Sequence, residues 1–81
     1  MKIDYHKSLV SCLSDEFNIK PSDVITIWFS KTVENAKGLF ITDKYDYYEV
    51  TYHGKRDVFY IDVYEKMTHH EIKPKYKKEA E

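Results

Sequence analysis

Two stretches near the middle of the chain alternate apolar and polar residues with a period of two. Residues 45–52 (Tyr-Asp-Tyr-Tyr-Glu-Val-Thr-Tyr) and 57–64 (Asp-Val-Phe-Tyr-Ile-Asp-Val-Tyr) are rich in aromatic and β-branched side chains, the pattern of half-buried strands. His53-Gly54-Lys55-Arg56 between them has the length of a hairpin loop, and Gly54 is free to adopt positive φ. Pairing Tyr52 with Asp57 sets Val50 opposite Phe59, Tyr48 opposite Ile61, Glu49 opposite Tyr60 and Tyr47 opposite Asp62. Tyr48, Val50, Tyr52, Phe59, Ile61 and Val63 then share one face. Shortening the loop to His53-Gly54 slides the pairing by two residues and leaves that face unchanged, because side chains alternate with period 2.

The remaining elements follow from changes of period. Residues 4–18 predict a helix, with Asp4 as N-cap and an apolar stripe of Leu9, Val10, Leu13 and Phe17, joined by His6. Asn18 suits the helix end, and Pro21 cannot continue it. Residues 24–33 predict a first strand, with Ile25, Ile27 and Phe29 on its more apolar side and Trp28 on the other. Glu34-Asn35-Ala36-Lys37-Gly38 reads as a turn in which Asn35 and Gly38 can take left-handed backbone. Residues 39–42 predict a short second strand, Leu39 and Ile41 on one side and Phe40 on the other. Short connections favour an antiparallel meander in sequence order, and the one spare amphipathic element must cover a face. The expected fold is α+β, an N-terminal helix packed on a four-stranded antiparallel meander sheet (α-β-β-β-β). Residues 1–66 form the single domain, and residues 67–81, which lack an apolar period, form a flexible, disordered basic tail.

Composition narrows the setting. Net charge is −1, which argues against general electrostatic binding to nucleic acid or membrane. The distribution is uneven: residues 41–65 hold three basic and six acidic residues, while residues 66–81 hold five Lys and three Glu. Cys12 is the single cysteine and cannot form an internal disulfide, which fits a reducing compartment. No apolar run approaches the roughly 20 residues that span a bilayer, and Lys2 and Asp4 open a mixed amphipathic segment unlike a signal peptide. A soluble cytoplasmic protein is expected.

Further residues carry a resemblance. Asp23-Val24, Trp28, Lys31-Thr32, Asn35 and Lys37, then Tyr47-Tyr48-Glu49-Val50-Thr51-Tyr52 with Gly54, then Tyr60-Ile61-Asp62-Val63-Tyr64 with Lys66, resemble a family of small domain-of-unknown-function proteins from phages and prophages of Gram-positive bacteria. The likeness runs from Asp23 to Lys66. Phe29-Ser30 stands where such proteins tend to have Ser-Cys, and His53-Gly54 where Asn-Gly is usual. The resemblance implies no activity, cofactor or catalytic residue; it implies the cytoplasm of an infected or lysogenic bacterial host.

By parity, the second sheet face presents Trp28, Phe40, Tyr47, Tyr60 and Tyr64, with Glu49, Thr51 and Asp62 among them. Its plainest reading is a solvated face whose Tyr rings pair across strands. The stronger reading is a protein-binding surface, because Trp and Tyr bury much area at low entropic cost. Glu49 and Asp62 would supply charge complementarity to a host or phage protein, most plausibly a host or defence component. Base stacking on the same rings, making a single-stranded nucleic-acid binder, is the second reading; Glu49 and Asp62 repel phosphate and weigh against it. A self-associating, homodimerising module is the third. No catalytic, cofactor or metal site is expected. Adjacent His69 and His70 lack the i, i+4 spacing of a zinc motif, Cys12 has no activating neighbour, and Glu49 with Asp62 as a catalytic pair is weaker than hydrogen bonding to Tyr. The chain is expected to be a non-enzymatic binding module with no small-molecule substrate and no membrane partner.

Overall fold

The computed structural model of the chain describes residues 3–43, 47–65 and 67–74. Residues 45 and 46 of the expected third strand, Lys66 and residues 75–81 of the expected tail lie outside the described residues. Helix α1 (Tyr5–Phe17) leads through a single 3-10 turn (Pro21–Asp23) into strands β1 (Ile25–Lys31), β2 (Asn35–Ile41), β3 (Tyr47–His53) and β4 (Val58–Tyr64). The four strands form one antiparallel sheet in the order β1-β2-β3-β4. The expected fold class is the observed one.

The ends of α1 are set by side chains. Asp4 Oδ1 accepts the Lys7 backbone N–H at 3.0 Å, satisfying one of the amides that a helix leaves unpaired at its start. Asn18 closes the helix with φ 55°, its N–H donating to the Ser14 carbonyl. The buried Ser14 hydroxyl donates to the Ile19 carbonyl, and Ile19 N–H returns to the Ser14 carbonyl at 3.0 Å. That clamp turns the chain so that Ile19 enters the core. α1 lies across β2, β3 and β4, burying Leu9 and Leu13 against Ala36, Phe40, Tyr48 and Val50. Phe17 meets Tyr48 edge-on at 5.2 Å between centroids, an arrangement aromatic pairs favour. His6 lies parallel to the Phe40 ring at 6.2 Å and its Nε2 is 2.8 Å from Thr26 Oγ1, tying the first helical turn to β1.

Three details depart from the sequence expectation. β2 begins at Asn35, so Ala36 and Gly38 are strand residues and not turn residues. A Cβ at Gly38 would come within 2.6 Å of the Phe40 ring, so glycine is what seats that ring on the sheet. In β1 the pairing steps from Thr26↔Phe40 to Trp28↔Leu39, leaving Ile27 in a bulge. The extra residue breaks the period of two, so Ile25 and Trp28 share the outer face while Thr26 and Phe29 face the helix. In the β3–β4 hairpin Tyr52 pairs with Phe59 and His53 with Val58. The pairing is slid by two residues and the four-residue turn moves along by one, from 53–56 to 54–57, so the inward face keeps its expected members.

The turn residue with positive φ is Asp57, at 53°, and Gly54 is not among such residues. Asp tolerates the left-handed region better than most residues. Gly54 is required for a different reason: a Cβ there would lie 2.0 Å from the Glu34 carbonyl oxygen, because the two hairpin turns abut. The contact is closed by the Gly54 N–H donating to Asn35 Oδ1 at 2.9 Å. Residues 67–74 form neither helix nor strand and are exposed.

Candidate interaction face

α1 covers one face of the sheet and leaves the other open. The open face is organised as rows of paired residues across the strands. One row runs Trp28, Leu39, Glu49, Asp62 through all four strands, and the next runs Ser30, Lys37, Thr51, Tyr60. At the far end Ile25 pairs with Ile41, and Tyr47 with Tyr64. Trp28 is 41% exposed, Tyr60 40% and Tyr64 50%, high values for such large rings in a sheet. Beside Trp28 lies an open depression of about 370 Å³, lined by Ser30, Asn35, Lys37 and Thr51 among others.

Of the residues expected on this face, Trp28, Tyr47, Glu49, Tyr60, Asp62 and Tyr64 are there and Phe40 is not. Phe40 is fully buried beneath α1, because it pairs with Tyr48 on the inward face of β3, so that the even positions Ala36, Gly38 and Phe40 all face the helix. Leu39 and Ile41, half-buried, take the outward positions of β2. Ile25 and Leu39 therefore belong to the face although the sequence reading did not include them. The bulge at Ile27 puts Ile25 there and the pairing with Glu49 puts Leu39 there, and neither leaves a local sequence signal.

The register also changes the electrostatics. Glu49 pairs with Asp62 and not with Tyr60, and Tyr47 pairs with Tyr64 and not with Asp62. Two carboxylates directly opposite each other on adjacent strands repel. Lys37 relieves part of this, its Nζ 3.9 Å from Glu49 Oε2, and the Tyr64 hydroxyl donates to Glu49 Oε1 in a long 3.5 Å contact. The Glu49 charge pushes the Tyr64 phenol above its ordinary value, with partial desolvation and Asp62 adding to it. Arg56 lies over the Tyr60 ring at 5.9 Å from the centroid, holding the edge of the face next to the β3–β4 turn. The centre of the face is thus a carboxylate pair with one lysine, framed by Trp28, Leu39, Tyr47, Tyr60 and Tyr64. Such a surface is suited to hold cationic side chains beside apolar ones.

The other candidates sit elsewhere. Cys12 is half-buried on α1, and burial, then Glu16, then Asp15 push its thiol upward, away from the thiolate form. Among the described residues no group of three or more His, Cys, Asp or Glu side chains converges as a metal site would require. His69 and His70 fall in the exposed segment after β4. No helix among the described residues is long and apolar enough to cross a membrane.

Comparison with curated proteins and with solved structures gives no match. A family model matches residues 2–74, a longer span than the Asp23–Lys66 stretch that carried the sequence resemblance. It takes in α1, all four strands and the segment after β4. The chain belongs to the Family of unknown function (DUF6275).

Proposed function

We propose that the chain is a non-enzymatic binding module whose open sheet face docks a protein presenting Arg or Lys beside apolar residues. The observation that carries this is the row Trp28, Leu39, Glu49, Asp62: an aromatic anchor and an aliphatic residue leading into two carboxylates that only a cation can fully relieve. Burial of the ring supplies affinity, and the carboxylates supply orientation and exclude acidic surfaces. The resemblance to phage and prophage proteins suggests the setting, an accessory protein in the cytoplasm of a Gram-positive host, and suggests a host or defence component as the partner.

The test is the double variant Trp28→Ala with Glu49→Lys, both on the open face and away from the core. A protein captured from host lysate by the wild-type chain is then purified and titrated against both forms. Loss of an anchor and reversal of a charge predict roughly a hundredfold weaker binding with melting little changed. Binding at wild-type strength contradicts the proposal. A nucleic-acid partner gives the opposite signature, capture abolished by nuclease and binding strengthened by Glu49→Lys.

A further inference from the structure

The two edges of the sheet are built differently. β1 carries the bulge at Ile27 and ends on Lys31, both devices that blunt an edge against pairing. β4 has neither. Its sequence Val-Phe-Tyr-Ile-Asp-Val-Tyr contains no Pro, Gly or Lys and one charge, Asp62, and among the described residues no strand pairs with its outer side. α1 covers it only in part. On the helix side Phe59 remains 40% and Val63 38% exposed, and Ile61 is half-buried. An open cleft of about 770 Å³ separates β4 from the helix, with Ile3, Lys7, Cys12, Asp15, Glu16 and Phe59 among its lining residues.

We propose that β4 pairs antiparallel with β4 of a second copy about a twofold axis at Ile61, joining two sheets into one. Residues opposite each other in a sheet share a face, so the axis must pass through a residue. An axis at Asp62 sets that carboxylate against itself, and one at Tyr60 sets Val63 against Asp57. The axis at Ile61 overlaps the whole strand from Val58 to Tyr64. It places Phe59 against Val63 of the second copy on the helix side and Tyr60 against Asp62 on the open side, where the phenol can donate to the carboxylate.

Lys7, with Asp4, lies toward one end of the helix face that lines the cleft, and Asp15 and Glu16 lie toward the other. A twofold axis reverses the helix, so the acidic end of each copy lies on the side of the end of its mate that carries Lys7. Pairing covers the outer edge of β4 and sets Phe59 beside Val63 on the helix side, and it doubles the open aromatic and acidic face without blocking it.

Sedimentation equilibrium of the full chain, with hydrogen exchange of the β4 amides, tests the pairing. Expected are a concentration-dependent dimer and β4 amides whose protection rises with concentration. Val63→Lys, which sets an ammonium against Phe59, weakens the dimer by about tenfold or more. Tyr60→Lys, on the open face and clear of the core, creates two Lys–Asp62 pairs and tightens it by roughly threefold to tenfold. Trp28→Ala leaves it unchanged, which separates this contact from the open face. A monomer at every soluble concentration overturns the proposal. So does a dimer lost with Trp28→Ala but indifferent to Val63→Lys and Tyr60→Lys. Monomers whose β4 amides are nonetheless protected overturn it in favour of the chain's own C-terminal residues.

Discussion

The central strands β2 and β3 present two surfaces made from the same backbone. Toward the helix they carry Ala36, Gly38 and Phe40 against Tyr48, Val50 and Tyr52; away from it, Asn35, Lys37 and Leu39 against Glu49, Thr51 and His53. The first surface mixes very small residues with large ones, so a helix can approach closely and Leu9 can enter the space over Gly38. The second carries no residue as small as Ala36 or Gly38. Its long amphipathic side chains stand up together, and its Lys37–Glu49 pair would have to be stripped of water for a helix to lie on it. Size alternation, more than hydrophobicity alone, decides which side of this sheet is closed and which is left for contacts.

Substitutions can break that difference from the closed side. Gly38→Val fills the recess: its Cβ would meet the Phe40 ring at 2.6 Å, so that fully buried ring must shift, with Leu9 already in contact at 3.4 Å. Overpacking of this kind costs about 1–3 kcal/mol, and the value here should lie at the upper end. Denaturant unfolding measures it, and unchanged stability would mean that the Phe40 ring is not seated over Gly38. Asp4→Ala acts at a distance, loosening the helix that forms the lid by about 1 kcal/mol through loss of its N-cap. Asp4→Asn, which keeps an acceptor oxygen, should recover most of that loss. Equal losses for the two variants would show that the acceptor oxygen of residue 4 does not hold the helix start.

Much of this was legible in the chain itself. The helix and its Asp4 and Asn18 ends follow from local chemistry that acts within a few residues, and the β3–β4 faces survived a two-residue change of register because parity is all that a face depends on. What was not legible depended on contacts distant in sequence. Gly38 reads as a turn residue until the Phe40 ring is laid over it, and Gly54 as a left-handed residue until the Glu34 carbonyl is brought against it. The bulge at Ile27 leaves no mark in composition, yet it moves Ile25 across to the side of Trp28. Seven of the eight residues expected on the open face are found there. Phe40 is the exception, and Leu39 beside it takes the outward position. The carboxylate pair at its centre came into view only with the true register, which sets Glu49 against Asp62.

Leu39 and Phe40 are neighbours in sequence on opposite faces of β2, and together they test the division between a closed and an open face most directly. The measurement is the unfolding free energy of Phe40→Ala and Leu39→Ala side by side. Phe40 is fully buried, and its truncation should cost about 3–5 kcal/mol, a large part of the stability of a small domain. Leu39 is half-buried on the open face, and its truncation should cost less than about 1.5 kcal/mol. Equal losses, or a larger loss at Leu39, would place the core on the other side of the sheet and contradict the account.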